Sequence, residues 1–142
     1  MSGPAGAPLV VKICGFTRAA DAAAAACAGA DWLGLNFWPR SKRYIAAEPG
    51  RAVAEAARAA APGERGPLMV GLFVNQPAEH VAAVAGAVGL DAVQLHGDES
   101  PEQCAELAAG GLTVIKALAM SGPEDIERLT GYPCATVLID TP

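Results

Sequence analysis

The sequence predicts an α/β fold in which parallel strands are covered by helices, and three observations support this prediction. First, alanine-rich or amphipathic stretches of helical length alternate with short apolar runs through all 142 residues. Second, these runs are nearly continuously apolar, as strands of a buried parallel sheet are. Third, each run is rich in Val, Ile and Leu, which favour strands. The six runs are residues 10–14, 32–37, 68–74, 91–96, 112–118 and 135–140.

The residues at the predicted helix ends support the same order of elements. Thr17 is a predicted N-cap of the first helix, and Gly29 is its predicted C-terminal stop. The second helix is followed by a turn at residues 62–67, which is too short to separate domains. His80 is predicted to lie on the surface of a third helix that begins near Pro77.

The fourth helix has the clearest start signal. Ser100 can act as its N-cap, Pro101 suits the first helical position, and Gln103 can close a capping box. Residues 28–35 and 88–95 also resemble each other, because both place a helix-ending glycine, one spacer and an aspartate before a strand. A repeated βα unit produces that pattern. We therefore expect one domain spanning residues 1–142, with residues 1–8 as a flexible N-terminal segment.

Composition and charge exclude several classes of protein. No apolar run reaches the roughly 18 residues that a membrane helix needs, and the N-terminus lacks the features of a secretory signal, so we expect a cytoplasmic protein without a membrane partner. The net charge of −5 argues against a nucleic-acid partner. The four cysteines are too widely spaced for a zinc site or a disulfide scaffold. Cys14 is a candidate site residue, and the other three are predicted to be structural: Cys27, Cys104 and Cys134.

Polar side chains on the predicted strands follow the two-residue alternation of a strand. Lys12 and Cys14 share one face of the first strand, and Gln94 and His96 share one face of the fourth. Because buried polar groups need partners, we expect these faces to converge on a common interior, as in a closed or curved sheet.

Two further strands carry an ionisable residue that we expect to face the same interior. Lys116 lies on the fifth strand and Asp140 ends the sixth, so that these two residues and Lys12 could neutralise one another. Cys14, His96 and Asp140 all occupy the last position of a predicted strand, and α/β proteins bind ligands at the carboxyl ends of their strands.

Each candidate also has a purely structural interpretation. A free cysteine such as Cys14 is more often a small buried hydrophobe than a reactive group. His96 could do no more than hydrogen-bond the turn that follows it, and Asp140 could be an ordinary turn residue. One basic cluster suits a solvated loop as well as an anion site: Arg40, Lys42 and Arg43.

Six segments, taken in order, resemble the phosphoribosylanthranilate isomerases of tryptophan biosynthesis: VKICGFT, GADWLGLNFWPRSKRYI, VGLFVN, GLDAVQLHGDES, VIKAL and VLIDT. The resemblance runs from about residue 9 to residue 142. It implies the TIM (β/α)8-barrel family, and we expect a partial barrel of about six strands and five helices. Such a chain would lack the phosphate-binding loops that follow strands seven and eight of a full barrel.

The resemblance also implies an activity, namely the Amadori rearrangement of N-(5-phosphoribosyl)anthranilate without a metal or redox cofactor. The general base then falls on Cys14, the general acid on Asp140, and Arg43 would hold the anthranilate carboxylate. Ordinary pKa values of about 8.5 for cysteine and about 3.9 for aspartic acid are in the wrong order for these roles, so the site would have to invert them. The polar strand faces add further predicted substrate-binding residues: Gln94, His96 and Lys12.

Other interpretations stay open at this point. The partner is predicted to be a small phosphosugar, and the chain a monomer or homodimer. It could be a fragment of a full isomerase, a partial barrel completed by another chain through its open edges, or a non-catalytic remnant. An open doubly wound sheet acting as a binding module is the alternative from another class. Such a sheet should not place its polar residues on one buried face.

Overall fold

A computed structural model describes residues 6–133 and 136–141 of the chain. Within them, strands and helices alternate as β1 (Lys12–Cys14), α1 (Ala19–Cys27), β2 (Trp32–Asn36), α2 (Ala47–Ala60), β3 (Leu68–Phe73), α3 (Ala78–Val88), β4 (Ala92–Leu95), α4 (Pro101–Ala109), β5 (Thr113–Ala119), α5 (Ile126–Thr130) and β6 (Thr136–Asp140). The predicted order of strands and helices is confirmed. The predictions for residues 1–5, residue 135 and Cys134 lie outside the described residues.

The six strands form one parallel sheet in which every strand pairs with its neighbours in sequence, in the order β1-β2-β3-β4-β5-β6. A doubly wound sheet reverses its strand order at a switch point, where helices change from one face to the other. The sequential order has no such reversal, so the doubly wound alternative is wrong. The chain instead forms a half-barrel with its helices on the outer face, as the TIM-barrel prediction requires.

The two faces of the sheet pack into separate apolar clusters. The larger cluster joins the outer face to the helices, and it includes Leu33 and Leu35 of β2 and the stacked rings of Phe37 and Phe73, whose centroids are 5.3 Å apart. Full burial of each such side chain contributes about 1.5–3 kcal/mol. The smaller cluster lines the barrel interior, and it consists of Val70, Ala92 and Ile115 with the partly buried Trp32 and Leu138.

The helix ends are only partly as predicted. Thr17 is not the N-cap of α1, because the helix begins one residue later and Arg18 occupies the cap without a side-chain hydrogen bond. Gly29 follows the end of α1 with φ of +93°, a conformation that glycine tolerates best, so the predicted stop is confirmed. Ser100 caps α4 by accepting the Gln103 N–H at 3.2 Å. The side chain of Gln103 does not close the box, since it donates to Gln76 O at 2.7 Å.

The two similar segments of the sequence have the same structural role. Asp31 accepts the backbone N–H of Val11 at 2.8 Å, and Asp91 accepts that of Met69 at 2.7 Å. In both units an aspartate at the start of a strand therefore ties that strand to the preceding one. None of the described helices is long and apolar enough to cross a membrane.

Candidate active site

The interior-facing side chains at the carboxyl end of the half-barrel form the candidate site. Lys12 pairs in register with Trp32, and Cys14 pairs with Gly34. Since Trp32 packs in the interior cluster, Lys12 and Cys14 face the interior too. The absence of a side chain at Gly34 makes room for the thiol, because a Cβ there would lie 2.6 Å from Cys14 Sγ.

The other two strands that carry candidate residues present them to the same interior. Ala92 belongs to the interior cluster, so Gln94, two residues further on, faces inward. The prediction that His96 ends the fourth strand is wrong, because β4 ends at Leu95. His96 is the next residue, and its ring still meets Gln94 on the inner face. Leu138 packs against the same cluster, and Asp140 shares its face of β6. The structure therefore brings Lys12, Cys14, Gln94, His96 and Asp140 to one face of the sheet, as their spacing predicted.

The predicted position of Lys116 is wrong. Its strand β5 turns Ile115 into the interior, so Lys116 points to the helix-facing side, in register with Leu95. The side chain of Lys116 is 0% exposed, and its Nζ lies 2.9 Å from Glu99 Oε2. It also donates to Gly97 O at 2.6 Å. Lys116 consequently neutralises Glu99, and it takes no part in neutralising Asp140.

Glu99 was missed at the sequence level, although it is a buried acid close to the site. Its carboxylate accepts backbone N–H groups from Asn75 at 2.9 Å and Gly97 at 2.8 Å, besides the Lys116 ammonium. Burial acts to raise the pKa of Glu99, but the Asn75 N–H and the Lys116 ammonium outweigh it and hold the pKa below its ordinary value. The pair anchors the loop after His96. No local signal identifies the pair, because alternation groups Lys116 with Val114 but does not show which face of the strand meets the helices.

Three of the candidate residues form one hydrogen-bonded chain. Gln94 Nε2 lies 2.9 Å from His96 Nδ1, and His96 Nε2 lies 3.2 Å from Asp140 Oδ2. The chain runs from the buried interior to an open mouth, since the side chains of His96 and Asp140 are 33% and 50% exposed. A cavity of about 340 Å³ adjoins His96 and Asp140, and Arg128 also lines it.

Arg43 reaches the same end of the barrel from the loop after β2. Its Nη1 donates to Cys14 O at 3.1 Å. Gly15 permits this approach, because it has φ of +96° and a Cβ there would lie 2.5 Å from Arg43 Nη1. Arg43 is therefore the cation found beside the Cys14 backbone. Lys12 instead lines an open, mainly apolar cavity of about 400 Å³ with Trp32 and other interior residues.

The remaining candidates lie outside this site. Arg40 and Lys42 are exposed, which agrees with a solvated loop. His80 lies exposed on α3, as predicted. Cys104 is buried in the helix-facing core, whereas Cys27 is exposed at the end of α1, so the prediction of a structural role for Cys27 is wrong. Within residues 6–133 and 136–141, no group of three or more His, Cys, Asp or Glu side chains could hold a metal ion.

Sequential parallel strands, with a thiol, an imidazole and a carboxylate on interior-facing positions at their carboxyl ends, define a barrel-type α/β protein with its ligand site at that end. The family model described as N-(5'phosphoribosyl)anthranilate (PRA) isomerase matches residues 11–142. The chain therefore belongs to the phosphoribosylanthranilate isomerase family.

Individual relatives agree with this assignment. The N-(5'-phosphoribosyl)anthranilate isomerase of Rubrobacter xylanophilus is 45% identical over 129 residues, which are 91% of this chain and 60% of that protein. The isomerase of Myxococcus xanthus is 46% identical over 124 residues, 86% of this chain and 53% of that protein. The chain thus spans little more than half the length of these relatives.

Solved structures show the same fold. A crystal structure of phosphoribosyl anthranilate isomerase in complex with reduced 1-(o-carboxyphenylamino)-1-deoxyribulose 5-phosphate superposes with a TM-score of 0.83 at 40% identity, covering 94% of this chain and 66% of that one. The Thermotoga maritima isomerase superposes with a TM-score of 0.82 at 38% identity, covering 95% of this chain and 62% of that one. Both comparisons confirm the predicted TIM-barrel family.

Proposed function

We propose that this chain provides the acid–base pair of a phosphoribosylanthranilate isomerase, which acts in the cytoplasm on a step of tryptophan biosynthesis. The substrate is N-(5-phosphoribosyl)anthranilate, and the product is 1-(o-carboxyphenylamino)-1-deoxyribulose 5-phosphate. The observation that carries the proposal is that Cys14 and Asp140 end β1 and β6 on interior-facing positions of one half-barrel. Relatives that bear the isomerase name, one of them solved with the reduced product, support the choice of substrate.

The first proposed step opens the ribose ring. Asp140 in its protonated form gives its proton to the ring oxygen, while the bond from that oxygen to C1 breaks. The lone pair of the anthranilate nitrogen forms a C1=N iminium at the same time. Asp140 is then a carboxylate, and the positive charge of the transferred proton is balanced on the iminium nitrogen. The half-exposed position of Asp140 beside the 340 Å³ cavity allows a ligand to reach this carboxyl.

The second proposed step removes a proton from C2. Cys14 acts as thiolate, and the electrons of the C2–H bond form a C1=C2 double bond as the iminium becomes a neutral amine. The resulting enol loses its hydroxyl proton and gains a proton at C1, which leaves the ketone of the product. Gly34 supports this role because it leaves the thiol unobstructed by a neighbouring side chain.

Arg43 is the proposed partner of the anthranilate carboxylate. A guanidinium presents several donors in one plane, which suits the two oxygens of a carboxylate. Its contact with Cys14 O holds Arg43 at the carboxyl end of the barrel, on the side of the proposed base. Lys12 and His96 remain proposed substrate-binding residues, and Gln94 would contribute to binding through its contact with His96. The oligomeric state is proposed as monomer or homodimer; a Thermotoga maritima relative is described as dimeric.

The proposal is tested with this chain alone and with a chimera that adds the part of the Rubrobacter xylanophilus relative that this chain does not cover. We expect the chimera to convert N-(5-phosphoribosyl)anthranilate. The reaction is measured as the loss of anthranilate fluorescence. The His80→Gln chimera is the control for a histidine outside the site, and it should retain full turnover. A chimera that unfolds cooperatively but shows no turnover would contradict the proposal and favour a non-catalytic role.

Gly15→Ala tests the position of Arg43 in the chimera. The new Cβ would displace the guanidinium from Cys14 O, so we expect KM to rise about 10- to 100-fold, corresponding to the loss of one charge-assisted hydrogen bond. Gly29→Ala is the matched control, because Gly29 has nearly the same φ of +93° but nothing within 4 Å of its Cβ position. Both variants should lose about 1–2 kcal/mol of stability from backbone strain. An equal change in KM in Gly15→Ala and Gly29→Ala would show that Arg43 does not bind the anthranilate carboxylate.

A further inference from the structure

We propose that Gln94 is a positioning residue that fixes the tautomer of His96 and thereby directs the proton of Asp140 toward the substrate. The catalytic part of this inference rests on the proposed function. The hydrogen-bonded chain of Gln94, His96 and Asp140 is independent of it, and it can be tested in the protein without substrate.

The geometry assigns donors and acceptors along this chain. Gln94 Nε2 lies 2.9 Å from His96 Nδ1, and an amide nitrogen can only donate. With the amide in this orientation His96 Nδ1 accepts, and the neutral ring then carries its single proton on Nε2. That nitrogen lies 3.2 Å from Asp140 Oδ2, so the Nε2–H donates to the carboxyl group.

A buried amide at position 94 has a cost in stability that points to another role. The residue is 2% exposed, and it pairs in register with the apolar Leu72 and Ile115. Its Oε1 is buried and accepts no hydrogen bond from any group in the described part of the chain. A buried acceptor without a partner destabilises a fold, and an apolar side chain of similar length would avoid that cost. What the glutamine supplies, and an apolar residue could not, is the N–H directed to His96.

The tautomer decides what Asp140 can do with a proton. A ring with its proton on Nδ1 would present an acceptor at Nε2, and a protonated Asp140 would give its O–H to the ring. With the proton on Nε2, the ring donates to Oδ2 and cannot accept. The acid proton of Asp140 then resides on Oδ1, which in this structure accepts only the N–H of the adjacent Thr141 at 3.0 Å among the described residues. From there it is available to the ring oxygen of a substrate.

The direct test is the ring ¹⁵N NMR spectrum of His96. The chain has two histidines, so His80→Gln leaves His96 as the one signal, and His80 is exposed on α3, away from the site. Measured at a pH above the range in which imidazole takes up a proton, the spectrum should show a protonated Nε2 and an unprotonated Nδ1. In Gln94→Glu the carboxylate accepts, so the proton should move to Nδ1. Because the Asp140 carboxylate also accepts from Nε2, the effect of Gln94 is isolated in Asp140→Ala. There Gln94 should keep the proton on Nε2, and adding Gln94→Met should populate both tautomers.

Stability and kinetics separate positioning from a structural role. Gln94→Met should unfold at the same or a higher temperature than the parent, because it removes the unpartnered Oε1. In the chimera, Gln94→Glu should lower kcat about 10- to 100-fold with little change in KM. A parent ring protonated on Nδ1, or a tautomer that is unchanged in Gln94→Glu, would overturn the inference. If the spectra are as expected but the chimera shows no turnover, the proposed function is contradicted. The role of Gln94 in setting the tautomer is then still supported.

Discussion

Replacing Lys116 by methionine is expected to lower the free energy of unfolding by about 3–5 kcal/mol. The ammonium lies 2.9 Å from Glu99 Oε2, and both side chains are 0% exposed. Methionine fills a similar volume but leaves the carboxylate of Glu99 buried without its counter-charge. Urea unfolding followed by circular dichroism at neutral pH measures the change. The double variant Glu99→Gln with Lys116→Met removes both charges and should recover part of the loss.

An exposed ion pair provides the control for this prediction. Arg51 and Glu55 of α2 are also 2.9 Å apart, but their side chains are 64% and 63% exposed. Arg51→Met should therefore change the free energy of unfolding by no more than about 0.5 kcal/mol. Similar losses in the two variants would show that burial of the Lys116–Glu99 pair is not the cause.

The same buried pair should make stability depend on pH. The pKa of Glu99 in the folded protein lies below its ordinary value of 4.5, so the unfolded chain binds a proton there more readily. The contribution of Glu99 is thus complete above the unfolded pKa and is lost as the pH falls through the lower folded pKa. In Lys116→Met the carboxylate lacks its counter-charge, and this acid-induced loss should be smaller.

Replacing Cys14 by alanine in the chimera is expected to lower kcat by about 10²- to 10⁴-fold, the usual contribution of a positioned base. The thiol is only partly buried, and Gly34 provides the space around it, so alanine should leave the fold intact. Single-turnover rates with N-(5-phosphoribosyl)anthranilate separate this step from binding and product release.

Cys27→Ala is the matched control, because Cys27 is a second cysteine that lies exposed at the end of α1. It should retain the turnover of the parent chimera. Near-parent turnover in the Cys14→Ala chimera would show that Cys14 is not the general base. Another residue at the carboxyl ends of the strands would then have to remove the proton.

Local signals in the sequence were sufficient for the order of the elements. Apolar runs mark strands because buried strands exclude polar groups, and Ser100, Pro101 and Gly29 mark helix ends because each suits one backbone geometry. Alternation along each strand also correctly grouped Lys12 with Cys14 and Gln94 with His96. These properties depend on neighbours within a few residues, so they can be derived from the chain alone.

Contacts between distant segments could not be derived in this way. The prediction that Lys116 faces the interior failed because alternation shows which residues share a face, but it does not show which face is inside. Glu99 was missed because its partners, Asn75 and Lys116, come from different loops and strands. The contact from Arg43 to Cys14 O likewise spans 29 residues of sequence.

The sequence by itself determined that strands and helices alternate, that Cys14 and Asp140 end their strands, and the family to which the chain belongs. The tertiary structure alone decided the sequential strand order, the pairing of Lys116 with Glu99 behind the sheet, and the chain of hydrogen bonds from Gln94 through His96 to Asp140. The physical reason is that a buried charge or amide is directed by the partner it meets across the sheet, and strand pairing over tens of residues brings that partner into place.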